Sequence, residues 1–117
     1  MALALPIAAS FAVISALALI MARLVDTDRL DRNAAFGIRT AGTKRSDQAW
    51  KAGHRAAQPL TRALGITGLC FAILILGVAF TGARTVVTVT AVLGYAGMVT
   101  LLALMAHRAD TAARSSS

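Results

Sequence analysis

The residues best suited to chemistry in this chain lie close together: Asn33, Phe36-Gly37-Ile38-Arg39-Thr40, Thr43, Ser46-Asp47, Trp50 and Gly53-His54-Arg55. Arg39 carries five donors in a planar fork, which suits a phosphate, a carboxylate or the unpaired carbonyls at a helix end. His54 can change charge near neutral pH or serve as a polar contact for the Gly37–Thr43 turn. Trp50 offers an apolar ring with one N–H, fitting either a packing or interfacial anchor or a recognition residue. Thr40 and Thr43 are turn and cap formers. This set is equipped to bind or brace. The chain has no Glu, its only grouped carboxylates are the mixed-sign Asp26, Asp28 and Asp31, and no nucleophile stands beside a base. No phosphate-cradling glycine loop is present either, so an enzyme is not expected. His54 and His107 stand in separate segments without a neighbouring cysteine, and neither a metal nor a cofactor is expected.

The elements that must position these residues are apolar runs. Met1 to Ala22 contains no charge and, as a helix, reaches about 33 Å. That is enough to cross a hydrocarbon core of about 30 Å. Ala63 to Ala83 and Thr85 to Ala106 are of similar length and are separated only by Arg84. A hydrophobic fraction of 57% and a mean hydropathy of +0.70 agree with an integral membrane protein. The expected fold is all-α, a single unit over 1–117, with spans at about 2–24, 62–82 and 85–107. The first span lacks a positively charged leader and is too long for an ordinary signal-peptide core, so it is expected to stay attached. The motif loop and an interfacial helix fill 25–59. The short link around Arg84 makes the last two spans an antiparallel hairpin, and the polar tail 110–117 is expected to be disordered.

Within the loop region, Ser46 is placed to cap a helix and Asp47 to favour its positive end. On that helix Trp50, Gly53, His54 and Ala57 share one side, while Lys51, Arg55 and Gln58 share an adjacent one. Pro59 is expected to end or kink it before the second span, because the residue before a proline avoids helical geometry. Tyr95 falls at mid-span, where its hydroxyl needs a partner; carbonyls near Gly94, or Thr67 and Thr90, are candidates. Cys70, the sole cysteine, forms no intrachain disulfide and is expected to be a buried apolar thiol. Ala4, Ala8, Ala12 and Ala16, and Gly68 with Ala72, are spaced to let helices approach closely, within the chain or in a homo-oligomer. In an alanine-rich chain such spacing also arises by composition.

The net charge of +7 is unevenly placed. Nine of the twelve Lys and Arg residues lie between Arg23 and Arg62, and two follow the third span. Since cytoplasmic loops hold the excess of basic residues, the N-terminus is expected outside and the C-terminus inside a cell membrane. The basic loop then faces anionic membrane lipids, which accounts for the charge without nucleic acid.

In its order and its position between spans, the set Asn33, Gly37, Ile38, Arg39, Thr40, Thr43, Ser46, Trp50, His54 and Arg55 resembles the motif of the SdpI/YfhL family of small bacterial membrane proteins. There an Asn precedes a G-[IY]-R-T turn, a Thr and a Ser follow, and a Trp leads to His or Asn followed by Arg. The resemblance covers about Asn33 to Leu64. The chain has Ala41 where the family often has Pro, and Ala56-Ala57 where it often has Gly. The resemblance implies non-catalytic protection against a secreted, membrane-active peptide toxin. It also implies, for some members, signalling by holding a transcriptional repressor at the membrane. A third expectation is a small transporter or lipid-binding protein acting as an oligomer; transport by the chain alone is disfavoured, because no Asp, Glu, Lys, Arg or His lies inside the spans.

Overall fold

A computed structural model describes residues 2–32 and 37–116. Three α-helices account for most of them: α1 (Ala4–Asp26), α2 (Asp47–Ala79) and α3 (Arg84–Ser116), with a short 3-10 turn at Thr43–Arg45 ahead of α2. All three are long and apolar enough to cross a membrane. α2 packs against both neighbours and forms the centre of the bundle. Large side chains such as Ile66, Ile73, Phe80, Val92, Leu93 and Val99 point outward. That is the pattern of helices whose surroundings are lipid and whose backbone groups are satisfied internally.

Small residues set how closely the helices approach. A Cβ built on Gly68 would lie 3.1 Å from the Phe11 carbonyl and would also strike Ser15, so α1 and α2 meet backbone to side chain there. Within lipid such contacts stabilise by van der Waals packing, since apolar surface gains little by leaving one apolar medium for another. The buried line of α1 is Ala4, Ala8, Phe11, Ser15, Ala18 and Ala22. The four-residue alanine ladder leaves this line by Ala16, which is exposed, because each such step rotates about 40° around a helix of 3.6 residues per turn. Phe11 fills the centre, its ring 4.5 Å from that of Tyr95 on α3 and 5.7 Å from that of Phe71 on α2.

Tyr95 finds its partner on α1, not among the expected groups. Ser10 Oγ donates to the Ile7 carbonyl at 2.7 Å, so the hydrogen of the short contact between Ser10 and Tyr95 belongs to the tyrosine. Thr90 is turned to its own helix and donates to Val86 at 2.7 Å. Cys70 is exposed on the outer surface, not buried.

Two expected breaks in helix are absent. α2 runs unbroken through Pro59, so the interfacial helix and the second span form one element of 33 residues. A proline inside a helix costs about 3 kcal/mol or more. Here tertiary contacts hold both sides of it: Trp50, His54 and Ala57 are buried before Pro59, and Thr61 and Leu64 after it. Pro59 itself is exposed, which leaves the Arg55 carbonyl freed by the proline ring on the outer face. At the other end of the chain, the tail expected to be disordered continues α3 to Ser116. Ala109 and Ala113, one turn apart, are both buried, and Asp110 and Arg114 form an ion pair at 2.7 Å. Each of the two long helices reaches about 50 Å, well beyond the hydrocarbon thickness. The charged first turns of α2, up to Arg62, and the last turns of α3 therefore stand outside the membrane, side by side, at the basic end of the bundle.

Candidate functional site

At that basic end the loop Gly37–Arg45 folds across the start of α2 and the end of α3. α2 begins where the sequence places its cap, Ser46 Oγ accepting the Ala49 N–H at 3.0 Å. From that start, positions three and four apart aim Trp50, Gly53, His54 and Ala57 inward.

His54 is the hinge of the arrangement. The Ile38 N–H donates to its Nε2 at 2.8 Å, and Nδ1 lies 2.8 Å from the Trp50 carbonyl. Because Nε2 must accept, the proton sits on Nδ1 and the ring is neutral. Burial, chiefly, holds its pKa below the usual histidine value; the nearby Arg39 charge acts the same way, and the Trp50 carbonyl opposes them. The contact with the Gly37–Thr43 turn is thus the one the histidine makes.

Thr43 braces the loop from within. Its buried hydroxyl accepts the Thr40 N–H at 2.9 Å and donates to the Ile38 carbonyl at 2.7 Å. Gly53 makes room for it: a Cβ there would lie 2.8 Å from Thr43 Cγ2 and 2.8 Å from the Ala109 carbonyl. Gly37 has φ +143°, where L side chains are strained, and its missing side chain leaves space for the Trp50 ring.

Trp50 is buried and belongs to the core of this cap, not to an exposed headgroup layer. Its Nε1 donates to the Leu30 carbonyl at 3.0 Å, tying down the chain that leaves α1, and its ring centre is 4.3 Å from that of His54. Arg39 lies over the same ring, 5.4 Å from its centroid, and donates through Nη1 to the Arg32 carbonyl at 3.4 Å. The Arg32 carbonyl belongs to the segment that follows α1.

The motif does not gather completely. Arg55 follows His54 by one residue and so points about 100° away around the helix; it is exposed and faces Asp28 at 3.8 Å, beside Lys51 at 3.5 Å from the same carboxylate. Asn33 lies outside the described residues.

Two braces were not anticipated. Asp110 of α3 accepts the Gly42 N–H at 2.7 Å, and bonds from the Thr40 hydroxyl, Arg114 and that amide, in this order of effect, pull its pKa down to about 2. Gln58, grouped in sequence with Lys51 and Arg55, is buried instead. Its Nε2 donates to the Ala22 carbonyl at 2.6 Å and to Asp26 at 2.8 Å, while Arg62 pairs with the other oxygen of Asp26. A glutamine one turn beyond His54 was the available signal, since that spacing shares its face. Among the described residues no three of His, Cys, Asp and Glu converge as metal ligands would.

The arrangement ties α2 and α3 to one loop, and α1 to α2, through neutral and charge-assisted hydrogen bonds. Such a helical membrane protein, with a braced polar cap built from a G-I-R-T turn and a W-x-x-x-H helix, defines a class. The chain belongs to the SdpI/YfhL protein family, whose family model matches residues 29–105. A search of curated proteins and a search of solved structures found no match.

Proposed function

We propose that this protein protects the cell that makes it against a secreted, membrane-active peptide toxin, by binding the toxin within or at the membrane and without catalysis. Membership in the family carries this reading. Its N-terminus lies outside and its C-terminus in the cytoplasm, as the concentration of nine Lys and Arg residues at one end favours. The hairpin end then faces the toxin. A groove of about 380 Å³ opens there between Leu3, just ahead of α1, Ile7 of α1 and the hairpin residues Gly82, Arg84 and Val87. It is a suitable place for an apolar peptide segment, and the braced cap at the far end sets the helix arrangement that shapes it.

The test is survival of a toxin-sensitive bacterium challenged with an SdpC-like peptide while expressing the native chain, Val87→Trp or Arg39→Ala at matched membrane levels. Protection by the native chain that is lost with Val87→Trp supports toxin binding at the groove. Its loss with Arg39→Ala adds that the cap is required. No protection by the native chain at verified expression rejects immunity to that toxin class.

A second reading draws on the exposed basic face of α2. Lys51 and Arg55 stand together on it, shared with Asp28 alone among their ion-pair partners in the described residues. In this reading they bind a soluble cytoplasmic regulator. A partner captured from the cytoplasm and lost with Lys51→Glu plus Arg55→Glu favours signalling.

A further inference from the structure

At the end of the bundle opposite the cap, the groove of about 380 Å³ beside the hairpin is apolar along its walls and polar at one edge. Leu3, Ile7, Ala79 and Val87 supply the walls. Arg84 and Thr88 of α3, four residues apart and so on one face of the helix, supply the edge. Of the residues that line the groove only Arg84 is charged. All five acidic residues of the chain, Asp26, Asp28, Asp31, Asp47 and Asp110, belong to segments at the basic end. Among the described residues the Arg84 guanidinium accordingly forms no ion pair or hydrogen bond. The Thr88 hydroxyl is open as well. Thr90 and Thr100 each donate to the carbonyl four residues back, at 2.7 and 2.8 Å, and among the described residues Thr88 makes no such bond.

We infer that this groove takes the C-terminal end of an apolar peptide, its last side chains against Leu3, Ile7 and Val87 and its carboxylate at Arg84 and Thr88; this rests on the toxin-binding reading and names the part of the toxin that is held. Length selects a chain end. Along α3 the wall runs only from Arg84 to Thr88, about 6 Å or one turn. A phospholipid acyl chain needs about half of the 30 Å core, and a helix lying in a groove sets its anchors from i to i+7, over about 10 Å. Charge then selects which end. Arg84 repels an N-terminal ammonium and attracts a C-terminal carboxylate, to which its planar fork offers two parallel bonds. The Thr88 hydroxyl adds one further donor on the same face.

Fluorescence anisotropy of N-dansyl trileucine, as the free acid and as the C-terminal amide, tests it with the intact chain in phosphatidylcholine nanodiscs, empty nanodiscs giving the baseline. The native chain is expected to bind the acid about ten-fold more tightly than the amide, the effect of a hydrogen bond to a charged group. Arg84→Gln should lower the acid to the affinity of the amide and leave the amide unchanged. Thr88→Val should weaken the acid about two- to five-fold, and Val87→Trp should weaken both peptides. Arg108→Gln, exposed near the opposite end of α3, should alter neither. Equal binding of acid and amide by the native chain overturns the inference, as does a preference for the acid that survives Arg84→Gln. Displacement of both peptides when phosphatidylglycerol replaces part of the phosphatidylcholine assigns the groove to a lipid and overturns it too. Cells protected from the toxin by a chain without acid preference would keep the toxin-binding reading and reject the carboxylate site. Acid preference without protection would support the site and reject that reading.

Discussion

Ile38 and His54, sixteen residues apart, are joined by a hydrogen bond of 2.8 Å that only a neutral imidazole can accept. The loop is consequently fastened to α2 by a group whose charge state depends on pH. His54 has a lowered pKa in the fold, so between its unfolded value near 6.5 and the lower folded value the unfolded chain binds the proton and the folded chain does not. The stabilisation is complete above about pH 6.5 and declines as the pH falls through this window. Thermal unfolding between pH 7.5 and 5 is expected to show a falling midpoint in the native chain and a flatter profile in His54→Phe. An identical slope in both would remove His54 as its source.

Thr43→Val keeps the shape of the side chain and deletes the hydroxyl, leaving the Thr40 N–H and Ile38 carbonyl without it. The expected loss is about 1–3 kcal/mol for unsatisfied buried groups. Thr43→Ser retains the hydroxyl and should recover much of the loss in chemical unfolding of the detergent-solubilised chain.

Two glycines of α2 make opposite predictions under the same substitution. Gly53→Ala forces a Cβ against the Ala109 carbonyl and Thr43, and overpacking of this kind costs about 1–3 kcal/mol. Gly77→Ala meets nothing within 4 Å and should stabilise by about 0.5–1 kcal/mol through helix propensity alone. Comparing the two unfolding midpoints separates close helix packing from backbone preference.

The three spans and the start of α2 were legible in the sequence because each depends on local information: run length, and Ser46 followed by Asp47. That Trp50, Gly53, His54 and Ala57 share one side followed from spacing in the same way, though not that this side is buried. Arg55 was legible too, on the side it shares with Lys51, since neighbours in sequence point to different sides of a helix. Pro59 misled because the contacts that keep α2 straight come from elsewhere in the chain, as Gln58 shows by bonding Ala22. The same holds for the tail: Asp110 reads as part of a polar, low-complexity run until Gly42, sixty-eight residues earlier, is seen to donate to it. Tyr95 needed a partner, and no pattern could select Ser10 over Thr67 or Thr90 without knowing which helices touch.

Tyr95→Phe deletes the bond to Ser10 and keeps the stacking on Phe11. A hydrogen bond between helices in a membrane contributes about 0.6 kcal/mol on average, so the change should be small. Phe11→Ala removes the ring at the centre of all three helices and should cost about 3–5 kcal/mol. Unfolding in mixed micelles ranks the two, and a larger effect for Tyr95→Phe would contradict the packing described.

Asp110→Ala is expected to loosen both partners at once, the loop at Gly42 and the last turns of α3. Limited proteolysis should cut near Lys44 or Arg45, and at Arg114, sooner than in the native chain. Because the Asp110 pKa is about 2, below the ordinary 3.8, its contribution is present above about pH 3.8 and is lost only as the pH falls toward 2.

The central claim is that the motif builds a rigid cap fastened to the helices. Its most direct test is amide hydrogen exchange of the native chain in lipid nanodiscs, read at Ile38, Thr40 and Gly42, whose N–H groups are held by His54, Thr43 and Asp110. The account predicts protection at all three approaching that of the first turns of α2, with Ile38 losing it in His54→Phe. Exchange at the rate of an unstructured loop in the native chain would contradict it.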